Sequence, residues 1–244
     1  MRVVICQPML FPWVGTFEKI RLSDIYVHYD DVLFSKGSFI NRVQIKTPAS
    51  RTWLTVPLRG LHMNQRILEV HIDTQQAWKR RHLNLLALHY RWAPFKDDML
   101  NIVAALYDRD VAHIAELSIA SIEAVCAYYA IIPPGGFVRS SHLKTLGSKS
   151  ERLVSIVQAL SGTVYLCGAG NQRVEQRYLD HELLEAHGIQ VEYIKYQKLA
   201  YPQLYGEFTP YVSILDLIAN RGPAGRDVLV SQSIHWKILF DQQT

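Results

Sequence analysis

Val3-Val4-Ile5-Cys6-Gln7-Pro8 opens the chain, and Asp24-Ile25-Tyr26-Val27-His28-Tyr29-Asp30-Asp31 repeats its plan. Each is a short apolar run that stops abruptly at polar residues. Such runs read as buried strands. Between them, Phe11-Pro12-Trp13-Val14-Gly15 is a loop with two rigid points and one flexible point, and Phe17–Leu22 resembles a short helix. Strand, loop, helix, strand in about 30 residues is a βαβ unit. The fold class expected is therefore α/β, with a parallel, Rossmann-like sheet.

The pattern then changes. Phe39–Lys46 and Thr52–Leu58 alternate apolar and polar residues around Pro48-Ala49-Ser50, as an antiparallel hairpin does. Ile67–Ile72 is a further strand candidate. Gln75–Trp92, Lys96–Tyr107 and Val111–Ala130 have helical spacing and form a helical insert over residues 75–132. Pro133-Pro134-Gly135-Gly136 is the sharpest break. A second βα block follows: helix Ser148–Leu160, strand Thr163–Cys167 ending in Gly168-Ala169-Gly170, helix Val174–Ala186 and strand Ile189–Ile194. Val212–Ala219 is a helix closed by Gly222 and Pro223, and Ser233–Phe240 is a last strand or helix. No Gly/Ser linker divides the chain, so residues 1–244 are read as one domain carrying the insert.

The chain has 244 residues, room for roughly 1.6 average domains. Its 49% hydrophobic and 20% charged residues exclude a disordered or collagen-like polymer. A net charge of +4 is too small to predict a nucleic-acid surface. No signal peptide and no apolar run of bilayer length occurs, so a cytoplasmic protein without a membrane span is expected. Cys6, Cys126 and Cys167 form no CxxC and fit reduced, mostly buried thiols. No HExxH, HxH, GxSxG, GxGxxG or GxxxxGK[ST] occurs, so neither a metal nor a particular cofactor is indicated.

Ligands of open parallel sheets bind beyond the carboxyl ends of the strands. Those ends deliver Gln7, Asp30 and Asp31, and later Gly168. Gln7 can donate and accept, and either aspartate can take a proton or orient an amine; a solvated turn carboxylate is the alternative. Phe11 and Trp13 could wall a sugar ring or nucleobase, or plug the sheet edge. Gly15 could admit a ligand to the backbone, or set a turn. Lys36, Asn41 and Arg42 could hold a carboxylate or phosphate, or make surface ion pairs. Lys149 and Arg152 share a face at a helix start behind Gly147-Ser148 and could bind an anion. Tyr201, Gln203 and Asp216, with Tyr205, Phe208 and Tyr211, combine ring faces with polar tips, which suits polyhydroxylated ligands or packing of a long loop.

Taken together, these segments resemble the WbqC-like family. Gln7-Pro8-Met9-Leu10-Phe11-Pro12-Trp13-Val14-Gly15 is similar to its opening motif, and Tyr29-Asp30-Asp31-Val32-Leu33-Phe34-Ser35-Lys36 with Asn41-Arg42 to its second block. Lys149-Ser150-Glu151-Arg152-Leu153, Tyr165-Leu166-Cys167-Gly168, Tyr201-Pro202-Gln203 and Ser213-Ile214-Leu215-Asp216 to Asn220 follow in order. Departures include Leu10, Thr16, Leu33 and Val43, and Cys167 where serine is common. The resemblance implies a bacterial protein of O-antigen or other surface-polysaccharide biosynthesis, with attachment of glycine to an amino sugar as its activity.

The expected function is transfer of an aminoacyl (glycyl) group to an amino-sugar nucleotide. Asp30, Asp31 and Gln7 would be catalytic, the other candidates would bind substrate, and glycyl-tRNA is one possible donor. The alternatives are a non-catalytic nucleotide-sugar or carbohydrate binder and an ATP-dependent adenylate-forming ligase. The aminoacyl-transfer reading places Gln7, Asp30 or Asp31, Arg42, Lys149 and Gln203 around one pocket.

Overall fold

The computed structural model describes residues 1–168 and 179–241. Ala169 and Gly170, the start of the helix expected over Val174–Ala186, and the last three residues lie outside them.

β1 (Arg2–Cys6) and β2 (Ile25–His28) run parallel, with Val3 opposite Ile25 and Cys6 opposite His28. α1 (Val14–Leu22) connects them. It begins earlier than expected because Val14, Gly15 and Thr16 are all buried and join its first turn. β8 (Val164–Gly168) pairs parallel with the other edge of β1, and β9 (Gln190–Lys195) runs parallel to β8. The expected parallel sheet is present. The ambiguous final segment is both things in turn, an antiparallel strand β10 (Gln232–His235) on β9 and then a helix, α8 (Trp236–Asp241).

Sequence reading missed β7 (Phe137–Arg139), which adds in parallel to β2. Three residues behind a Pro-Pro-Gly-Gly break are too short to show a period. The break itself seats the strand. Gly135 N–H donates to Asp24 O at 2.7 Å, and a Cβ on Gly135 would lie 2.5 Å from Ile25 Cγ1 and 2.9 Å from Asp24 O. The sheet order is β10-β9-β8-β1-β2-β7. The chain winds outward from β1 in one direction through β2 and β7, then in the other through β8 and β9. This is the doubly wound arrangement, with its switch point between β1 and β8.

The expected hairpin is β3 (Arg42–Lys46) and β4 (Arg51–Thr55), a sheet of its own. The strand expected over Ile67–Ile72 is only partly one. Ile67–Glu69 is a 3-10 turn, closed where Arg66 N–H donates to Glu69 Oε2 at 2.9 Å. Only β6 (His71–Ile72) is extended, and it pairs with β5 (Leu58–Arg59). The three helices of the middle section are α2 (Trp78–His89), α3 (Lys96–Tyr107) and α4 (Ile114–Tyr129). α5 (Lys149–Ala159) leads into β8, and α6 (His181–Ala186) and α7 (Ile214–Arg221) complete the eight helices among the described residues.

Two apolar clusters sandwich the sheet. Val4 and Tyr26 face Phe17 and Ile20 of α1, the hairpin, α2–α4 and α7. Val3, Ile5, Val27 and Val191 face Val154, Ile156 and Val157 of α5, Leu184 of α6 and Leu239 of α8. Alternation along each strand therefore fixes which layer a side chain enters. Among the described residues, no helix is long and apolar enough to cross a membrane.

Gly135→Ala is expected to destabilise the fold by roughly 1–3 kcal/mol, because the added methyl must push apart β2 and the β7 turn. The urea midpoint relative to the unsubstituted protein measures this.

Candidate functional site

At the carboxyl edge of β2 and β7 the carboxylates and arginines form one network. Asp30 is wholly buried. Its Oδ1 accepts from Ser140 Oγ (3.1 Å) and Ser141 N–H (3.0 Å), and its Oδ2 from Arg139 Nε (2.6 Å) and Ser141 Oγ (2.9 Å). Burial pushes this carboxyl's pKa upward, but Arg139 and the two Ser141 donors outweigh it, and the pKa lies below the ordinary value. Asp31 accepts from Ser140 Oγ at 2.6 Å and pairs with Arg152, whose guanidinium stands 5.8 Å over the Tyr29 ring. A buried carboxylate with several donors and a lowered pKa, as Asp30 is, anchors cations and is a poor proton acceptor. Arg152 is thus committed to Asp31 rather than free for an outside anion.

The switch point between β1 and β8 holds a different group. Lys19 of α1 is 8% exposed, and its Nζ lies 2.8 Å from Sγ of Cys6. Helix side chains lean toward the helix N-terminus. From the middle of α1, Lys19 therefore reaches the carboxyl edge of the sheet. Burial pulls the Lys19 pKa down, yet Cys6, Tyr196 and Cys167 more than reverse this and hold it above the ordinary value. The group stays an ammonium at neutral pH. Gly168 makes room for it: a Cβ there would lie 3.3 Å from the Tyr196 hydroxyl and 3.6 Å from Lys19 Nζ. Cys167 packs on the opposite face, and its thiol meets Glu192 O at 3.3 Å. Beside the pair, the half-buried Gln7 carboxamide makes no hydrogen bond among the described residues.

The loop from β1 to α1 is clamped from two sides. Phe11 sits at φ 39°, a left-handed conformation costing a non-glycine residue about 1–3 kcal/mol. Its N–H donates to Ser121 Oγ of α4 (2.9 Å), and its carbonyl accepts from Ser213 Oγ (2.8 Å), which also caps α7. The Phe11 ring is buried, the plug of the two roles expected. Trp13 is half-buried, 4.9 Å from the Tyr196 ring and 5.7 Å from that of Tyr211. A Cβ on Gly15 would lie 2.4 Å from the Trp13 ring and 2.6 Å from that of Tyr196, so glycine here serves the aromatic packing. On its outer side Trp13 lines an apolar cleft of about 250 Å³ with Met9, Phe39, Val43 and Tyr211.

The remaining candidates lie in other settings. The Arg42 guanidinium lies 4.3 Å over the Trp53 ring and donates to Gly37 O. Asn41 Nδ2 donates to Val56 O (2.8 Å), and Lys36 is exposed. Asp216 is buried and accepts from Tyr90 (2.9 Å) and Tyr201 (3.0 Å). Burial raises its pKa and those of both tyrosines. Gln203 is spent on Lys46, Thr209 and Tyr201, each at 3.0 Å, and Asn220 on Asp216 O at 2.8 Å. Lys149 lines a cavity with Ser148, Asp180 and His181. The five residues expected around one pocket therefore lie in separate settings. Gln7 adjoins the switch point, Asp30 and Asp31 are held by arginines, Arg42 stacks on Trp53, Gln203 braces a buried network, and Lys149 lines a cavity of its own. Sequence reading missed Lys19, Tyr196, Arg139 and both serines after it. Its one available signal was a lysine in a short helix directly after a strand ending in cysteine. Among the described residues, no cluster of three or more His, Cys, Asp or Glu stands ready for a metal.

Comparison with known proteins accounts for the order of these segments. The profile of the WbqC-like protein family matches residues 7–228. The chain belongs to this family. A relative of 30% identity over 231 residues, spanning 93% of this chain and 97% of its own, is the uncharacterized protein Rv1507c of Mycobacterium tuberculosis. No solved structure matches. The family match takes in both the Asp30 network and the Cys6–Lys19 neighbourhood from Gln7 onward.

Asp30→Asn should cost about 1–3 kcal/mol, since the partly exposed Arg139 loses the charge it pairs with. The folded pKa of Asp30 lies below the unfolded one. Its contribution is therefore complete above the unfolded value of about 3.9 and disappears as pH falls through the folded value. Urea midpoints measured against pH should fall on the acid side in the unsubstituted protein, with that part of the slope missing in Asp30→Asn.

Proposed function

We propose that this chain transfers an aminoacyl group, glycyl in the first instance, to the amine of an amino-sugar nucleotide, and that the reaction takes place at the switch point between β1 and β8. The contact between Cys6 and Lys19 carries this reading. It sets a partly exposed sulfur nucleophile beside a buried ammonium where ligands of doubly wound sheets bind.

In this reading Cys6 attacks the carbonyl carbon of the activated amino acid. A thioester forms, the bond to the donor's leaving group breaks, and the thiol proton leaves with that group. The amino sugar's nitrogen then attacks the thioester, an amide forms, and a proton from the nitrogen returns to sulfur. Lys19 holds the sulfur in place and supplies positive charge near the developing oxyanion. Gln7, whose amide has no partner among the described residues, offers it to the substrate. Trp13 and Tyr196 form the ring-stacking wall. Asp30 and Asp31 serve as anchors for Arg139 and Arg152, which hold β7 and the start of α5 in place.

A carbohydrate binder without catalysis is the second reading. The cleft lined by Trp13, Phe39 and Tyr211 favours it, because stacking alone can hold a sugar there.

Purified protein offered glycyl donors and amino-sugar nucleotides should form the N-glycyl product, and intact-mass spectrometry should show one glycyl group on the enzyme. Cys6→Ala should bring turnover to background while leaving nucleotide-sugar binding intact by calorimetry. Turnover of Cys6→Ala at the rate of the unsubstituted enzyme would exclude the thiol. Saturable binding without product across the donor panel would favour the binder. Trp13→Ala should raise KM about tenfold or more, from the loss of roughly 1.4 kcal/mol or more of stacking, with a smaller effect on kcat.

A further inference from the structure

Lysine is rarely buried without an acidic partner, yet among the described residues Lys19 has none. Its only hydrogen bond among the described residues is to Cys6 Sγ, and no carboxylate lies within ion-pair distance. The neighbouring Glu18 is occupied elsewhere, accepting from Ser231 N–H (3.0 Å) and Ser231 Oγ (2.6 Å). The separation of 2.8 Å from Nζ to Sγ is as short as an ordinary nitrogen–oxygen hydrogen bond, although sulfur is the larger atom. A single oxygen atom with ordinary single bonds spans such a gap. Cys6 is partly exposed, so a small oxidant can reach the sulfur.

We propose that Cys6 and Lys19 form a reversible covalent crosslink in which one oxygen atom bridges sulfur and nitrogen, with a peroxide as the oxidant. The first peroxide converts the thiol to a sulfenic acid: sulfur loses two electrons, the peroxide O–O bond breaks, one oxygen stays on sulfur and the other leaves as water. The second removes one hydrogen from the sulfenic oxygen and one from the neutral lysine nitrogen. The N–O bond forms, and this peroxide takes the two electrons and two protons and leaves as two waters. Overall the protein gains one oxygen and loses two hydrogens. Excess dithiol returns four electrons and four protons, which restores thiol, amine and one water.

The surroundings favour the second step. Burial works against the lysine's charge, and Cys6 is the foremost influence opposing burial. The sulfenic oxygen is placed between sulfur and Nζ, where the N–O bond has to form. Cys167 does not compete, because it lies on the other face of the sheet. The crosslink is argued from the Cys6–Lys19 contact and does not depend on the aminoacyl-transfer reading. Its consequence, that peroxide stops transfer until a dithiol restores it, rests on the aminoacyl-transfer reading.

Tryptic mapping tests the crosslink without an activity assay. In the reduced protein trypsin cuts after Arg2 and after Lys19, which releases Val3–Lys19 with both residues inside it. After peroxide, the expected product is Val3–Arg21, uncut at Lys19, heavier than that sequence by one oxygen and lighter by two hydrogens, and returned to normal cleavage by dithiothreitol. Lys19→Arg should instead carry Cys6 on to sulfinic acid. Three results in the unsubstituted protein would overturn the proposal: sulfinic acid at Cys6 with normal cleavage after Lys19, a loss of two hydrogens without gain of oxygen, or a mass change that dithiothreitol does not reverse. Failure of glycyl transfer with the expected peptide present would count against the function alone.

Discussion

β1 is bonded on both edges by strands running its own way, and the rest of the site follows from that pairing. A central strand in a doubly wound sheet has layers above and below it. Alternation therefore divides its side chains between α1 and α5, with Val4 and Cys6 on one side and Val3 and Ile5 on the other. The carboxyl end of such a strand opens where the chain reverses its direction of winding. Cys6 is placed at that end by register, and Lys19 reaches it because α1 begins at the same edge.

The two polar centres of this edge are built on opposite principles. Around Asp30 and Asp31 each carboxylate faces an arginine and accepts from serine hydroxyl or backbone donors, so the network is rigid and chemically quiet. At Lys19, among the described residues, a buried charge rests on a soft, polarizable sulfur instead of a carboxylate, which gives up ion-pair strength. Reactivity is commonly kept where full satisfaction of polar groups is withheld. The Asp216 network resembles the Asp30 network in this respect. Its tyrosines and Gln203 brace α7, the hairpin and the aromatic loop.

What the sequence discloses depends on the range of the interactions involved. β1 and β2 are legible because Val3-Val4-Ile5 and Ile25-Tyr26-Val27 carry their burial in their own composition. Lys96–Tyr107 is legible to the residue because a helix repeats its pattern over several turns. Ile67–Ile72 looks like one strand, yet the Arg66–Glu69 contacts turn its first half into a 3-10 bend, a side-chain effect that hydrophobic pattern does not encode. The site is legible in part. Strand ends direct attention to Gln7, Asp30, Asp31 and Gly168, but the partners that decide their chemistry, Arg139, Ser141 and Lys19, are brought in by topology. Aspartate looks like a base until its donors are counted, and a lysine in an amphipathic helix looks solvated until the helix is laid on the sheet.

The position of β1 has a further consequence during synthesis. Among these strands β1 waits longest for its second neighbour, since β8 begins only at Val164 and the Phe11 carbonyl waits for Ser213. Until then a growing chain carries an apolar strand with one open edge and a strained loop held from one side only. An unpaired edge is a template for any other extended chain nearby. Translation speed and early chaperone contact, rather than final stability, should therefore set how much of this protein is recovered in its native form.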